Sequence, residues 1–167
     1  MKVFILAALT ADGFIARDSD HMADWTEKED KQLYVRLTKE SGVMIMGSRT
    51  FDTIGRALPG RKTIVYTSKP ERYQGIENVE ATSETPNALV SRLKKEGYQS
   101  IAICGGTQIY TIFIQANVVT DLYLTLAPVL FGSGMQLFHS TLDKKLILDS
   151  VEKLGKDSIA AHYRVAD

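Results

Sequence analysis

The chain has 167 residues, about the length of one domain, with equal numbers of basic and acidic residues, 20 of each. Hydrophobic residues make up 44% of it, which is typical of a globular domain and too apolar for intrinsic disorder. Zero formal charge argues against nucleic acid or an anionic membrane surface as a partner. One cysteine and three histidines form neither a disulfide nor a zinc-type ligand set, which predicts a metal-free site in a reducing compartment.

The apolar amino terminus is expected to be a strand. Residues 3–9 are rich in Val, Phe, Ile and Leu and run into the turn signal Ala11-Asp12-Gly13, which favours a buried strand over a signal peptide. No run of eighteen apolar residues occurs, so no membrane-spanning helix is expected. Together these features predict a cytoplasmic protein.

Short apolar runs then alternate with segments of helical period. This alternation calls for crossover connections and predicts an α/β fold with a mostly parallel sheet, closed by a C-terminal antiparallel hairpin around Gly155-Lys156-Asp157. No repeat or linker interrupts the pattern, so residues 1–167 are expected to form a single domain. Strands are predicted near residues 2–9, 42–46, 62–67, 77–81, 100–104, 120–127, 146–153 and 158–165, and helices near 27–40, 49–54, 86–96 and 107–115.

Three turns after strands carry residues suited to an anionic ligand: Gly47-Ser48-Arg49-Thr50, Thr67-Ser68-Lys69 and Gly105-Gly106-Thr107-Gln108. A helix amino terminus offers free N–H groups and a positive dipole end, and glycine lets a phosphate approach the backbone. Because ligands of open α/β sheets bind at the carboxyl ends of the strands, we expect the three turns to face one ligand. Taken alone, each of these turns is also explained by ordinary helix capping and turn formation. Neither the Rossmann nor the P-loop signature occurs in the sequence. Cys104, at the end of a strand, is expected to be a core residue rather than a nucleophile.

One acidic residue falls on the apolar side of a predicted helix. Thr26-Glu27-Lys28-Glu29 matches a capping box, which predicts that Thr26 caps the helix. Stepping back three and four residues from the apolar Leu33 and Tyr34 leads to Asp30, which is therefore expected to face inward and to supply or relay a proton. The alternative is an acid that merely favours the helix dipole. Trp25 directly precedes the helix and is expected either to form a wall of the pocket or simply to pack against neighbouring side chains.

In these residues the chain resembles dihydrofolate reductase and its relatives, including the reductase half of riboflavin biosynthesis. The resemblance is most specific in Met46-Gly47-Ser48-Arg49-Thr50-Phe51, Ile54-Gly55, Leu58-Pro59-Gly60-Arg61-Lys62 and Tyr66-Thr67-Ser68. The stretch from Ala7 to Ile15 resembles the family's first strand and the start of its mobile active-site loop. Cys104-Gly105-Gly106-Thr107-Gln108-Ile109-Tyr110 resembles the second nucleotide turn, where the family has a cis Gly-Gly peptide.

The resemblance implies a role for each matched residue. Asp30 corresponds to the acid that assists protonation of the pterin while hydride arrives from NADPH. Arg61 corresponds to the arginine that pairs with the glutamate carboxylate of folate, and Thr125 to a threonine behind the acid. The implied cofactor residues are Ala8, Ile15, Gly47, Ser48, Arg49, Thr50, Thr67, Ser68, Lys69, Gly105, Gly106, Thr107, Gln108, Ile109 and Tyr110, and the implied substrate residues are Trp25, Tyr34, Ile54, Arg61 and Thr125.

Two departures from the family pattern leave cofactor and substrate open. Ser48 stands where NADPH-using relatives usually have a basic residue, so recognition of a 2′-phosphate must rest on Arg49 or Lys69, and NADH is not excluded. The segment from Pro128 to Phe138, with its Gly-x-Gly, is similar to the riboflavin branch. Together with the hairpin that follows it, this segment could form the edge of a homodimer, as that branch suggests.

Three functions are therefore weighed. The leading one is reduction of dihydrofolate or a related pterin, a small heterocyclic substrate. The first alternative is reduction of a ribosylated aminopyrimidine, in which Arg61 would meet a phosphate. The second is a nucleotide-binding module without turnover, in which Asp30 is an ordinary surface acid.

Overall fold

Ten strands, four α-helices and one 3-10 helix occur within residues 1–166, the part of the chain that the computed structural model describes. The strands are β1 (Lys2–Thr10), β2 (Phe14–Ala16), β3 (Val43–Gly47), β4 (Lys62–Tyr66), β5 (Val79–Thr82), β6 (Ser100–Ile103), β7 (Asp121–Ala127), β8 (Met135–Gln136), β9 (Leu146–Leu154) and β10 (Ser158–Val165). The helices are α1 (Lys28–Ser41), α2 (Ser48–Ile54), α3 (Pro86–Lys95) and α4 (Thr107–Gln115), and the 3-10 helix is Pro70–Tyr73.

Eight strands form one sheet in the order β5-β4-β3-β6-β1-β7-β10-β9. The pairs from β5 to β7 are parallel, whereas β10 runs antiparallel to both β7 and β9. The predicted α/β class, the mostly parallel sheet and the terminal hairpin are thus confirmed. No helix within residues 1–166 is long and apolar enough to cross a membrane.

Apolar side chains fill both faces of the sheet because the parallel strands are covered by helices on each side. Along β1, alternate residues point to opposite faces, so Val3 and Ile5 join one cluster while Phe4 joins the other. Helices α3 and α4 contribute to the first cluster and α1 and α2 to the second. The carboxyl ends of β1, β3 and β6 are therefore fixed side by side.

The structure differs from the sequence prediction at the start of α1, where the proposed capping box is wrong. The helix begins at Lys28, its N-cap is Glu27, and no side chain caps it. Thr26 is buried instead, and its Oγ1 has no hydrogen-bond partner within residues 1–166. The carboxylate of Glu27 is turned away from its own helix and accepts hydrogen bonds from the β9–β10 turn. A tertiary contact has therefore replaced the local one.

The short strands β2 and β8 were not predicted, and they pair with each other outside the main sheet. With three and two residues, respectively, neither is long enough to show an alternating pattern. At one edge of the main sheet, strand β9 leaves apolar side chains in solvent. Leu146, Ile147, Leu148 and Val151 are between 40% and 55% exposed.

Candidate active site

A cleft of about 780 Å³ opens where the carboxyl ends of β1, β3 and β6 meet. One wall, here called the cofactor wall, consists of the turns 47–50 and 105–110 together with Ala8 and Ile15. The other, the substrate wall, consists of the segment 18–26, Asp30 and Tyr34 of α1, and Ile54. The structure thus brings together, around one cavity, the predicted acid and most of the residues expected to bind cofactor and substrate.

The two turns of the cofactor wall touch each other through their backbones. The N–H of Gly47 donates to the carbonyl of Gly105 at 2.8 Å. A Cβ atom at position 47 would lie 2.9 Å from Cγ1 of Ile109, so only glycine fits this approach without movement. The peptide bond between Gly105 and Gly106 is cis, as the family resemblance implies.

Helix α4 presents an uncapped amino terminus to the cleft. Its N-cap is Gly106, and no side chain accepts a hydrogen bond from its first turn. The nearby hydroxyls bond elsewhere, since Thr107 donates to the carbonyl of Gln136 and Tyr110 to that of Leu6. Backbone N–H groups at a positive dipole end are therefore left for a ligand, and this donor set fits the diphosphate of a dinucleotide cofactor.

Asp30 lies half-buried in the first turn of α1, and its backbone N–H donates to the carbonyl of Glu27 at 3.2 Å. Two polar atoms in the same wall, Nε1 of Trp25 and Oγ1 of Thr26, are buried and have no hydrogen-bond partner within residues 1–166. Buried polar groups normally find partners. The lining of the cleft therefore includes a carboxylate, an indole N–H and a hydroxyl, which are groups suited to a polar heterocycle.

Cys104 and Tyr34 also line the cleft, and both titratable groups are deeply buried. Burial raises the pKa of Cys104 to about 12, so the thiol stays protonated at neutral pH, consistent with the core residue that was expected. Burial also raises the pKa of Tyr34 well above its ordinary value, which keeps its hydroxyl neutral and able to donate a hydrogen bond. The positive charge of Arg61 offsets part of the rise in both groups.

Five predicted site residues do not line the cleft. Thr67, Ser68 and Lys69 form a turn one strand further out, where Oγ1 of Thr67 accepts from the N–H of Lys69 at 3.1 Å. Thr125 is buried in β7 opposite Ala8, with an exposure of 1%.

Arg61 is the fifth of these residues, and it is only 8% exposed. It lines a separate pocket of about 870 Å³ between segments 55–62 and 76–80. Its Nη1 donates to the carbonyl of Pro59 at 2.9 Å, and its Nε has no partner within residues 1–166. The roles of all five residues stay predictions.

The sequence did not reveal how the loop of the substrate wall is held. Phe131 packs edge-on against Trp25 with ring centroids 5.3 Å apart, and the guanidinium of Arg17 lies 4.1 Å from the Phe131 ring centroid. The carboxylate of Asp12 accepts the N–H groups of Phe131 and Gly132, at 3.1 and 2.6 Å. More than 100 residues separate these partners, and only the turn signal at Asp12 was visible in the sequence.

The family model of dihydrofolate reductase matches residues 2–153. The chain therefore belongs to the dihydrofolate reductase family, a family of oxidoreductases. It is 29% identical to the uncharacterized Bacillus subtilis protein YwjB over 97% of both chains. It is also 31% identical to the dihydrofolate reductase of the same organism, over 65% of this chain and 60% of that one.

Solved structures agree with this assignment at the level of the fold. A pyrimidine reductase-like protein from Corynebacterium diphtheriae superposes with a TM-score of 0.82 at 17% identity, covering 99% of this chain and 92% of that one. The dihydrofolate reductase of Enterococcus faecalis, solved in complex with NADP(H) and RAB-propyl, gives a TM-score of 0.74 at 23% identity, covering 99% of this chain and 97% of that one.

Proposed function

We propose that this protein is an NADPH-dependent reductase of dihydrofolate or a related pterin, in which Asp30 supplies or relays the proton. The observation that carries the proposal is the pairing of two different walls around one cleft, an uncapped α4 terminus on one side and Asp30 on the other. Family membership supports the reductase class. The Enterococcus faecalis enzyme, solved with NADP(H), supports the choice of cofactor.

The residues of the cofactor wall would bind the dinucleotide mainly through backbone. The N–H groups at the start of α4 are suited to its diphosphate, and Gly47 keeps the two turns in contact. Arg49, exposed on the cofactor wall, is a cation that could bind a 2′-phosphate. When bound, the nicotinamide supplies a hydride.

On the substrate wall, Asp30 orients the heterocycle and delivers the proton that must accompany hydride transfer to a C=N bond. Trp25 and Thr26 offer an N–H and a hydroxyl to the polar atoms of the same ring. The Phe131 contact holds Trp25 against the cleft, which limits the access of water.

Arg61 is proposed to bind the anionic tail of the substrate. A guanidinium buried to this extent, with its Nε unpaired within residues 1–166, is costly unless an anion approaches it. Arg61 lines a separate pocket rather than the cleft, but the two adjoin at residues 54 and 55, because Ile54 lines the cleft and Gly55 lines the pocket. A carboxylate tail would favour dihydrofolate, and a phosphate would favour the aminopyrimidine.

The test is the loss of nicotinamide absorbance when purified protein and NADPH are offered dihydrofolate or a ribosylated aminopyrimidine in parallel. We expect oxidation with dihydrofolate, lost in Asp30→Asn and retained in Glu29→Gln, a change one residue away on the same helix turn. Turnover with the aminopyrimidine alone would replace the substrate assignment. Cofactor binding without turnover of either compound would identify a nucleotide-binding module.

We also propose that two copies associate through β9. This strand lies at the edge of the sheet, so its unpaired backbone groups can pair with the same strand of a second copy, and the exposed Leu148 and Val151 would be covered by such an interface. Light scattering coupled to gel filtration should show a dimer that Leu148→Lys converts to a monomer. A monomeric wild type would rule it out.

A further inference from the structure

The β9–β10 turn is attached to the first residue before α1 by a single carboxylate. Oε1 of Glu27 accepts the N–H of Lys156 at 3.0 Å, and Oε2 accepts those of Asp157 and Ser158 at 3.3 and 3.0 Å. Three consecutive N–H groups converging on one anion form a cradle of the kind that backbone turns offer to carboxylates and phosphates. Charge-assisted bonds of this type are stronger than neutral ones.

The contact is close enough to restrict the residue that begins the turn. Gly155 has a φ of 62°, and a Cβ atom there would lie 3.1 Å from Oε2 of Glu27 and 2.8 Å from Oε2 of Glu29. The turn therefore lies directly against the start of α1. A side chain at position 155 would require these two carboxylates to move, and the left-handed backbone there also favours glycine.

Glu27 is also linked to the proposed proton donor through the backbone. It is the N-cap of α1, and its carbonyl accepts the N–H of Asp30. No side chain caps this helix, so its first turn lacks the usual local restraint. The position of Asp30 in the cleft thus depends on where Glu27 is held.

We infer that Glu27 is a positioning residue, which attaches the C-terminal hairpin to the first turn of α1 and so fixes Asp30 in the cleft. The inference rests on the proposed function for its catalytic consequence, but not for the contact itself. It assigns a role in the site to the turn 155–158, which lies outside the family match at residues 2–153.

The consequence for the reaction follows from geometry. A small displacement of a catalytic group far from the mutated atom costs up to about a hundredfold in rate. In Glu27→Gln the amide keeps one oxygen as an acceptor, but its NH₂ group faces backbone N–H donors, so the three bonds cannot all form. We expect the hydride step to slow about tenfold or more, with the affinity for NADPH unchanged.

The decisive experiment is a double-mutant cycle between Glu27→Gln and Asp30→Asn, read by single-turnover hydride transfer. If Glu27 acts through Asp30, the first change adds less than about threefold in the Asp30→Asn background, because no carboxylate remains to be positioned. Glu40→Gln, an exposed acid at the far end of α1, is the matched control and should leave the rate unchanged. Equal effects of Glu27→Gln in both backgrounds, or a fall in thermal stability with normal turnover, would overturn the inference.

A second measurement keeps this result separate from the proposed function. In Glu27→Gln, the amides of Lys156, Asp157 and Ser158 should exchange hydrogen faster by NMR, and the amide resonance of Asp30 should move, whether or not any substrate is turned over. Unchanged exchange and an unmoved Asp30 resonance would show that the contact does not position the acid. Absence of turnover in the wild type, with both NMR effects present, would count against the reductase proposal alone.

Discussion

The two walls of the cleft are built by different means. The cofactor wall is made of backbone from two turns that directly follow buried strands, and Gly47 and Gly105 meet there through one main-chain hydrogen bond. The substrate wall is made of side chains whose positions depend on partners more than 100 residues away, as with Asp12 and Phe131 or Glu27 and Lys156. Backbone recognition leaves a local signature in the sequence, whereas side-chain recognition depends on the finished fold.

The largest expected effect lies on the substrate wall. Replacing Asp30 by Asn removes the proton donor but keeps the shape, so we expect hydride transfer near neutral pH to fall by roughly 10²–10⁴-fold while NADPH affinity is retained. Stopped-flow measurement of nicotinamide oxidation gives the rate of hydride transfer, and a separate titration gives the affinity for NADPH. A loss smaller than threefold would remove Asp30 from the mechanism and leave the cofactor wall as the only functional part.

The second-largest expected effect tests whether Arg61 binds the anionic tail of the substrate. Arg61→Leu should raise KM for dihydrofolate by about one to two orders of magnitude, which corresponds to the loss of one charged hydrogen bond of about 1.5–3 kcal/mol. A pterin without the glutamate tail should be nearly indifferent to the change. Equal effects on both compounds would indicate that the buried guanidinium stabilises the fold instead of binding an anion.

The corresponding test on the cofactor wall uses Arg49, the exposed cation that lines the cleft beside Ser48. Arg49→Ala should weaken NADPH binding by about 1.5–3 kcal/mol and NADH binding much less, because only NADPH carries the 2′-phosphate. Isothermal titration with both cofactors measures the difference, and Lys69→Ala is the comparison, since Lys69 does not line the cleft. If both cofactors weaken equally, Arg49 contacts the shared part of the dinucleotide.

The sequence predicted the elements that carry a strong pattern. The eight strands of the main sheet and the four helices were found because their apolar residues form short runs or repeat with the period of a helix. The capping box failed at Thr26 because Glu27 and the hairpin turn decide where α1 begins. The Glu27 contact itself was invisible to sequence patterns, since it joins an N-cap to a turn about 130 residues later and neither partner departs from ordinary surface composition.

The smallest expected effect concerns pH and again separates the two walls. Ser158, with the backbone N–H groups of the turn, holds the pKa of Glu27 below its ordinary value. Because the folded-state pKa is lowered, the carboxylate stabilises the fold above its unfolded pKa, and this contribution is lost as the pH falls through the lowered folded value. We therefore expect the amides of residues 156–158 to lose protection from hydrogen exchange in this acidic range, before the molecule unfolds. In the same range, the difference in unfolding free energy between wild type and Glu27→Gln should vanish.

The control is the amide of Gly47, which is bonded to a carbonyl that does not titrate and should stay protected over the same range. Hydrogen exchange followed by NMR as the pH is lowered measures both sites in one sample, and simultaneous loss of protection at the two walls would show that they do not respond independently.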